Sequence, residues 1–290
     1  MSAPLSPASP GTAVAPAASL TPRALSPRRL QLSVAILATL VLAAVAGPML
    51  YRVDPDALDF ARAAAPPGTG HPFGTDESGR DVLARLLVGA RVSLAAGAAA
   101  MLLAVALGTA VGAVAALSRP RIDALLMRLT DAALAIPAIF VVITVLTFLG
   151  PSVVTLVVAI GATSWMGLAR LVRGELLALK HQDFVEAAVA LGERPVARFA
   201  RHLLPHLWPT ILVNATLGMG SALLTESALS FLGLGVQPPA ASWGNMLSGA
   251  QSSLFSAPWL AVLPGAMILL AVATINILGD ALRDALHAGD

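Results

Sequence analysis

Side chains able to do chemistry are few in this chain of 290 residues. His71, Asp76, Glu77 and Asp81 stand close together and are residue types that bind metals. Hard cations need several converging oxygens, and no paired-histidine spacing accompanies these four. A helix cap from Thr75 or Asp76, with carboxylates paired to neighbouring arginines, explains the same residues. No metal site is assigned to them. Glu226 is the sole charge in the apolar run from Leu207 to Phe231. A carboxyl there must be protonated, face a wet pathway or bond to a neighbouring helix. Asn214 and Ser221 lie on the same run, and with Glu226 they are the candidates for lining a polar pathway. Enzymatic sets are missing. The only lysine, Lys180, sits between Leu179 and His181, so no Gly-rich phosphate loop ending in Lys-Ser/Thr exists. Neither H-E-x-x-H nor G-x-S-x-G occurs, and with no cysteine there is no thiolate nucleophile, thiolate zinc site or disulfide. No catalytic residue and no cofactor of its own are assigned to the chain.

What must position these residues is set by composition. The chain is 57% hydrophobic and only 12% charged, with a mean hydropathy of +0.81. A soluble domain carries about a quarter charged residues, which excludes an ordinary globular enzyme. The pI is near 9.9, yet the net charge is only +2. That is too weak a field for a nucleic-acid binder. The fold class is therefore all-α, a polytopic membrane protein.

A spanning helix takes roughly 20 mostly apolar residues. Six runs meet this: 33–50, 92–117, 132–149, 153–170, 207–231 and 259–279, with Gly150-Pro151-Ser152 as the turn between the third and fourth. Gly108 and Gly112 have the spacing of close helix packing. Pro137 and Pro264-Gly265 are expected to kink spans three and six. Trp208, Trp243 and Trp259 fit anchoring at the membrane interface. With both termini in the cytoplasm, most of the 18 basic residues fall inside, and the five arginines of the first outer loop are offset by acids. Arg28-Arg29, an apolar run and Ala44-Val45-Ala46 also have the layout of a secretory signal peptide. That run is longer than usual for one, so it is read as a span.

The resulting organisation has a Pro/Ala-rich disordered tail over 1–27, a first span over 28–51 and an extracytoplasmic loop over 52–91. A five-helix core follows over 92–282, with a short cytoplasmic tail over 283–290. In the outer loop, Val82, Leu83, Leu86, Leu87 and Ala90 recur at helical spacing, which predicts an amphipathic helix at the membrane surface before span two. The cytoplasmic loop over 171–206 has the composition of helix. Glu175–Leu191 lacks Gly and Pro, Gly192 allows a left-handed turn, and Pro195 opens a second piece that Pro205 is expected to end. A helix–bend–helix of this kind either fits a partner's groove or is a solvated connector. Spacing alone leaves both open.

Glu186-Ala187-Ala188, Gly192 and Leu204-Pro205 resemble the EAA loop of ABC importer permeases, with His202 at a position the pattern gives to Ile. Two further blocks, His71 to Leu94 and Ala228 to Leu247, resemble the permease C type of the dipeptide/oligopeptide/nickel branch. The resemblance implies a type I importer permease in the bacterial inner membrane. It implies that Glu186, Ala187, Ala188 and Gly192 dock on a separate ATPase, with Leu204 and Pro205 positioning the loop. The implied partners are a second permease subunit, two ATP-binding cassette subunits that hold ATP and Mg, and an extracytoplasmic binding protein. Di- or oligopeptides are the implied cargo, with nickel chelates and glutathione carried by relatives of the same branch. An ion-coupled secondary transporter using Glu226 is the alternative, although internal repeats usual for that class are not evident.

Overall fold

The computed structural model describes residues 27–287, and every regular element among them is helical. The expected disordered tail lies outside the described residues, apart from Pro27. Four helices are long and apolar enough to cross a membrane: α1 (Pro27–Leu50), α2 (Val82–Leu117), a helix beginning at Pro195 and running to Phe231, and the last, from Trp259. Two bent pairs supply the other crossings. α3 (Pro120–Leu134) meets α4 (Ala138–Leu149) at 81°, and α5 (Val153–Ser164) meets α6 (Met166–Leu179) at 40°. With each bent pair counted as one span, the described residues hold six.

The interior is organised around α2, which touches α1, α5 and α6 and the long helix after Pro195. Two glycines make this possible. A Cβ on Gly112 would lie 2.5 Å from the Ala169 carbonyl oxygen, and one on Gly108 would lie 2.8 Å from that of Trp165. Backbones that approach so closely gain dispersion contact without needing a hydrophobic driving force, which lipid does not provide.

α2 departs from expectation. The amphipathic outer helix and span two are one uninterrupted helix, so no boundary exists at residue 91. No proline breaks the run, and both charges inside it find partners distant in sequence. Arg91 donates to the Ala44 and Val45 carbonyls at 3.2 and 3.0 Å. Arg85 reaches Asp56 at 3.1 Å and the Pro55 carbonyl at 3.2 Å. The Arg91 bonds fasten the Ala44-Val45-Ala46 segment to span two, and Leu40 and Ala44 are buried in the core. α1 is thus an integral part of the bundle. The cap is Asp81, whose Oδ1 accepts from Ala84 N at 2.7 Å. Thr75 and Asp76 are otherwise engaged. Thr75 Oγ1 accepts from Ala65 N and donates to the Arg62 carbonyl, and Asp76 Oδ2 pairs with Arg80 at 2.7 Å.

Other differences have equally local causes. Pro137 does more than kink span three. It cannot donate to the preceding turn and disfavours helix at Ile136, so the helix breaks there. The segment expected as a loop before span three is α3, with Pro120 at its first position. Asp123 and Asp131 fasten it to Arg173 and Arg170 of α6, the former at 2.7 Å. The last span, α11 by order (Trp259–His287), runs past residue 283, so the expected tail is partly helix. Trp243 is not an interface anchor. It is fully buried at the start of a short helix, Trp243–Gly249, in the loop between the last two spans, and its indole N–H donates to the Leu86 carbonyl at 3.2 Å.

Candidate functional site

The EAA segment sits where α6 ends. Lys180 to Gln182 turn the chain, and Asp183–Ala190 form the eight-residue α7. Gly192 stops α7 with a backbone φ of +75°. Its N–H donates to the Val189 carbonyl at 2.9 Å, and Glu193 N donates to that of Ala188 at 3.0 Å. This paired bond pattern satisfies the last carbonyls of a helix and needs a left-handed residue at its centre. Pro195 then opens α8 (Pro195–Arg198), a wide turn follows over Phe199–Leu203, and α9 (Leu204–Phe231) begins. Pro205 therefore does not end the second piece. It occupies the first turn of α9, where a missing N–H costs nothing.

Val185 of α7 points inward with Leu203 and Leu207, into a core shared with Val172 and Leu176 of α6 and Ala113 of α2, and Ala188 is buried. Glu186 and Ala187 point outward, and Leu191 beside them is 88% exposed. Leu204 is half-buried and Pro205 exposed. Two contacts brace the loop that sequence reasoning did not supply. Glu193 Oε2 pairs with His202 Nε2 at 2.9 Å, and the Phe184 and His206 rings stack at 5.0 Å. Glu193 accounts for the histidine standing where the family pattern has Ile. The cue available in the sequence was a carboxylate next to the turn glycine. Phe184, Ala187, Ala188, Leu191 and Arg201 line an open recess on this surface.

The three polar residues of the fifth span do not form one group. Glu226 is completely buried. It accepts from Ser230 at 2.9 Å and Ser227 at 3.2 Å, and the hydroxyls of Ser93 on α2 and Ser242, in the loop between the last two spans, lie near it. Ser93 in turn accepts from Trp243 N at 3.2 Å. These contacts tie α2, α9 and that loop together, which is the helix-to-helix reading of this carboxyl. Asn214 and Ser221 lie on another face of α9. Asn214 is half-buried in a cavity near the α7 end, and Ser221 is exposed.

The outer cluster also resolves into packing bonds. His71 Nδ1 meets Asp81 Oδ2 at 2.8 Å, and Tyr51 donates to the same oxygen at 3.0 Å. Burial, and then this bond to Asp81, push the Tyr51 hydroxyl up to about 12, which keeps it a donor. Glu77 accepts from Ser252 and Ser253, and these bonds hold its carboxyl below the usual range. A depressed carboxylate stabilises the fold above its unfolded pKa, near 4.3, and the contribution is lost as pH falls through the lower folded value. The protection factors of residues 250–256, with the intrinsic pH dependence of amide exchange divided out, are thus expected to stay unchanged from neutral pH down to that range and to fall below it. In Glu77→Gln, exchange there is expected to be fast already at neutral pH.

Comparison with known proteins supplies the family. Residues 108–289 match the family described as binding-protein-dependent transport system inner membrane component. The chain is 39% identical over 260 residues to the oligopeptide transport system permease protein OppC of Escherichia coli (strain K12), covering 89% of this chain and 86% of that one. It is 38% identical over 251 residues to the OppC protein of Bacillus subtilis (strain 168), covering 87% and 82%. A putative peptide permease protein of Brucella suis is 39% identical over 252 residues, covering 86% and 83%. The family match takes in the braced α7 loop and the spans on either side of it, and the chain belongs to the family of binding-protein-dependent transport system inner membrane components, the permeases of ABC importers.

Proposed function

We propose that this chain is one of two permease subunits of an ATP-driven importer of di- and oligopeptides. Its partners in this reading are a distinct second permease, two ATPase subunits that bind ATP and Mg, and an extracytoplasmic binding protein. Both termini face the cytoplasm of a bacterial inner membrane, as the distribution of arginine between loops favours. The chain itself performs no hydrolysis. Peptide as cargo is supported by the relatives named above.

The observation that carries the coupling role is α7. It presents Glu186 and Ala187 outward, with Leu191 exposed just past its end, while Val185 is packed into the core of α2, α6 and α9. The small exposed side chains of Ala187 and Ala190 admit a partner surface closely. A push on α7 passes through buried Val185 to Leu203, to Leu207 of α9 and to Leu176 of α6, because close-packed side chains transmit displacement. Closure of the ATPases on ATP therefore moves α6 and α9, opening the path between the two permeases outward. Hydrolysis and release return it inward. Asn214 and Ser221, which share a face of α9, are the residues assigned to the path. Glu226 is assigned to holding the outer ends of α2 and α9 together, and no observation favours it as an ion-coupling site.

Affinity purification of the tagged chain in mild detergent tests this assignment. ATPase subunits are expected in equimolar amount with the two permeases together. A chain that purifies without them and still transports under an ion gradient alone would overturn the reading.

A further inference from the structure

Near the α7 end of the bundle, α6, α9 and α11 enclose a cavity of about 780 Å³, within the range of small-ligand sites. Most of its wall is leucine, valine and proline, but Glu175, His206, Thr210, Asn214 and Arg283 also line it. Thr210 Oγ1 donates to Glu175 Oε1 at 2.6 Å, and Asn214 Nδ2 donates to the Thr210 carbonyl at 2.9 Å. The second carboxylate oxygen, Oε2 of Glu175, is buried and has no hydrogen-bond partner among the described residues. A buried carboxylate oxygen left unbonded is costly, and a charged N–H donor is the partner that compensates most fully.

We infer that Glu175 receives the free N-terminal ammonium of the peptide at the inner end of the path. This inference rests on the peptide-importer reading and names a subsite within it. A single carboxylate, with no cluster of metal-ligating side chains around it among the described residues, does not suit a hard cation, which requires several oxygens. One primary ammonium suits it well. Thr210 fixes the carboxylate by occupying one oxygen and leaves the other directed to the ligand. Asn214 sits one helical turn further along α9, and Ser221 is two turns beyond it on the same face, so the path's polar residues lead to this point. Glu175 also lies little more than a turn before the end of α6, where the chain passes into α7. The amine is thus bound next to the element that couples to the ATPase.

The test uses the complete transporter, reconstituted with its ATPases, second permease and binding protein. Uptake of trialanine and of N-acetyl-trialanine is compared, each rate normalised to wild type with the same peptide, so that selection by the binding protein cancels. Glu175→Gln is expected to lower trialanine uptake roughly tenfold, the worth of one charged hydrogen bond, and to leave the N-acetyl peptide near its wild-type rate. Thr210→Val, which keeps the carboxylate, is expected to retain the preference for the free amine. Should Glu175→Gln fail to assemble, Glu175→Asp, with its shortened reach, provides the same comparison. Equal losses for both peptides would overturn the inference and assign Glu175 to structure or to a partner's cation. If the wild-type transporter takes up neither peptide, the peptide reading itself fails.

Discussion

Gly192→Pro is expected to abolish peptide uptake while the protein still inserts and assembles its six spans. Proline holds φ near −65°, whereas Gly192 requires +75°, and proline has no N–H to give the Val189 carbonyl. The cap of α7 is lost and the docking face loses its direction. Nothing lies within 4 Å of a Cβ at this position, so the bundle itself has no reason to suffer. Gly192→Ala separates conformation from bulk. It fits the space but meets a left-handed penalty of about 1–2 kcal/mol, and intermediate uptake is expected. Glu186→Lys reverses the charge of an outward residue without disturbing packing and is expected to match the proline variant. Uptake and ATPase activity measured together check the series. Transport should vanish while stimulation of the ATPase by loaded binding protein is lost with it. Wild-type uptake in both Gly192→Pro and Glu186→Lys would remove α7 from the mechanism.

The second large effect is at Glu226, and there the expected loss is of folding. Glu226→Ala leaves the Ser227 and Ser230 hydroxyls buried without an acceptor, at about 1–3 kcal/mol each. It also removes the carboxyl from beside Ser93 of α2 and Ser242 of the loop between the last two spans. The yield of monodisperse protein is expected to fall severalfold and its melting temperature to drop. Glu226→Gln keeps a carbonyl oxygen and the side-chain volume, and should retain most of both stability and transport. An ion-coupling carboxylate behaves oppositely, since the amide cannot carry a proton or balance a cation. Near-normal stability with complete loss of transport in Glu226→Gln would therefore restore the secondary-transporter alternative.

Which parts of this architecture were legible in the sequence follows from the range of the interactions. Spans were legible because apolar length is a local property, and the α7 turn because Gly192 and Pro195 carry their conformations with them. Asn214, Ser221 and Glu226 were grouped as one pathway from their polarity, although helix geometry puts the first two, seven residues apart, on one face and Glu226 on another. Continuity of α2 was not legible. Arg85 and Arg91 look like the edge of a span until Asp56, Pro55, Ala44 and Val45 are brought to them by folding. Trp243 resembled an interface anchor for the same reason, since its partners Leu86 and Ser93 belong to a distant helix. Glu175 gave no signal as one acidic residue in a helical loop. Only the packing of α6 on α9 shows which of its oxygens is engaged.

The central claim is that this permease moves peptide by power delivered from separate ATPases. Its most direct test is uptake of radiolabelled trialanine into proteoliposomes holding the purified complex, with ionophores collapsing every ion gradient. Uptake that requires ATP on the α7 side and binding protein on the other, and that is indifferent to the ionophores, is the predicted result. Uptake that proceeds without ATP and stops when the gradients are collapsed would contradict it.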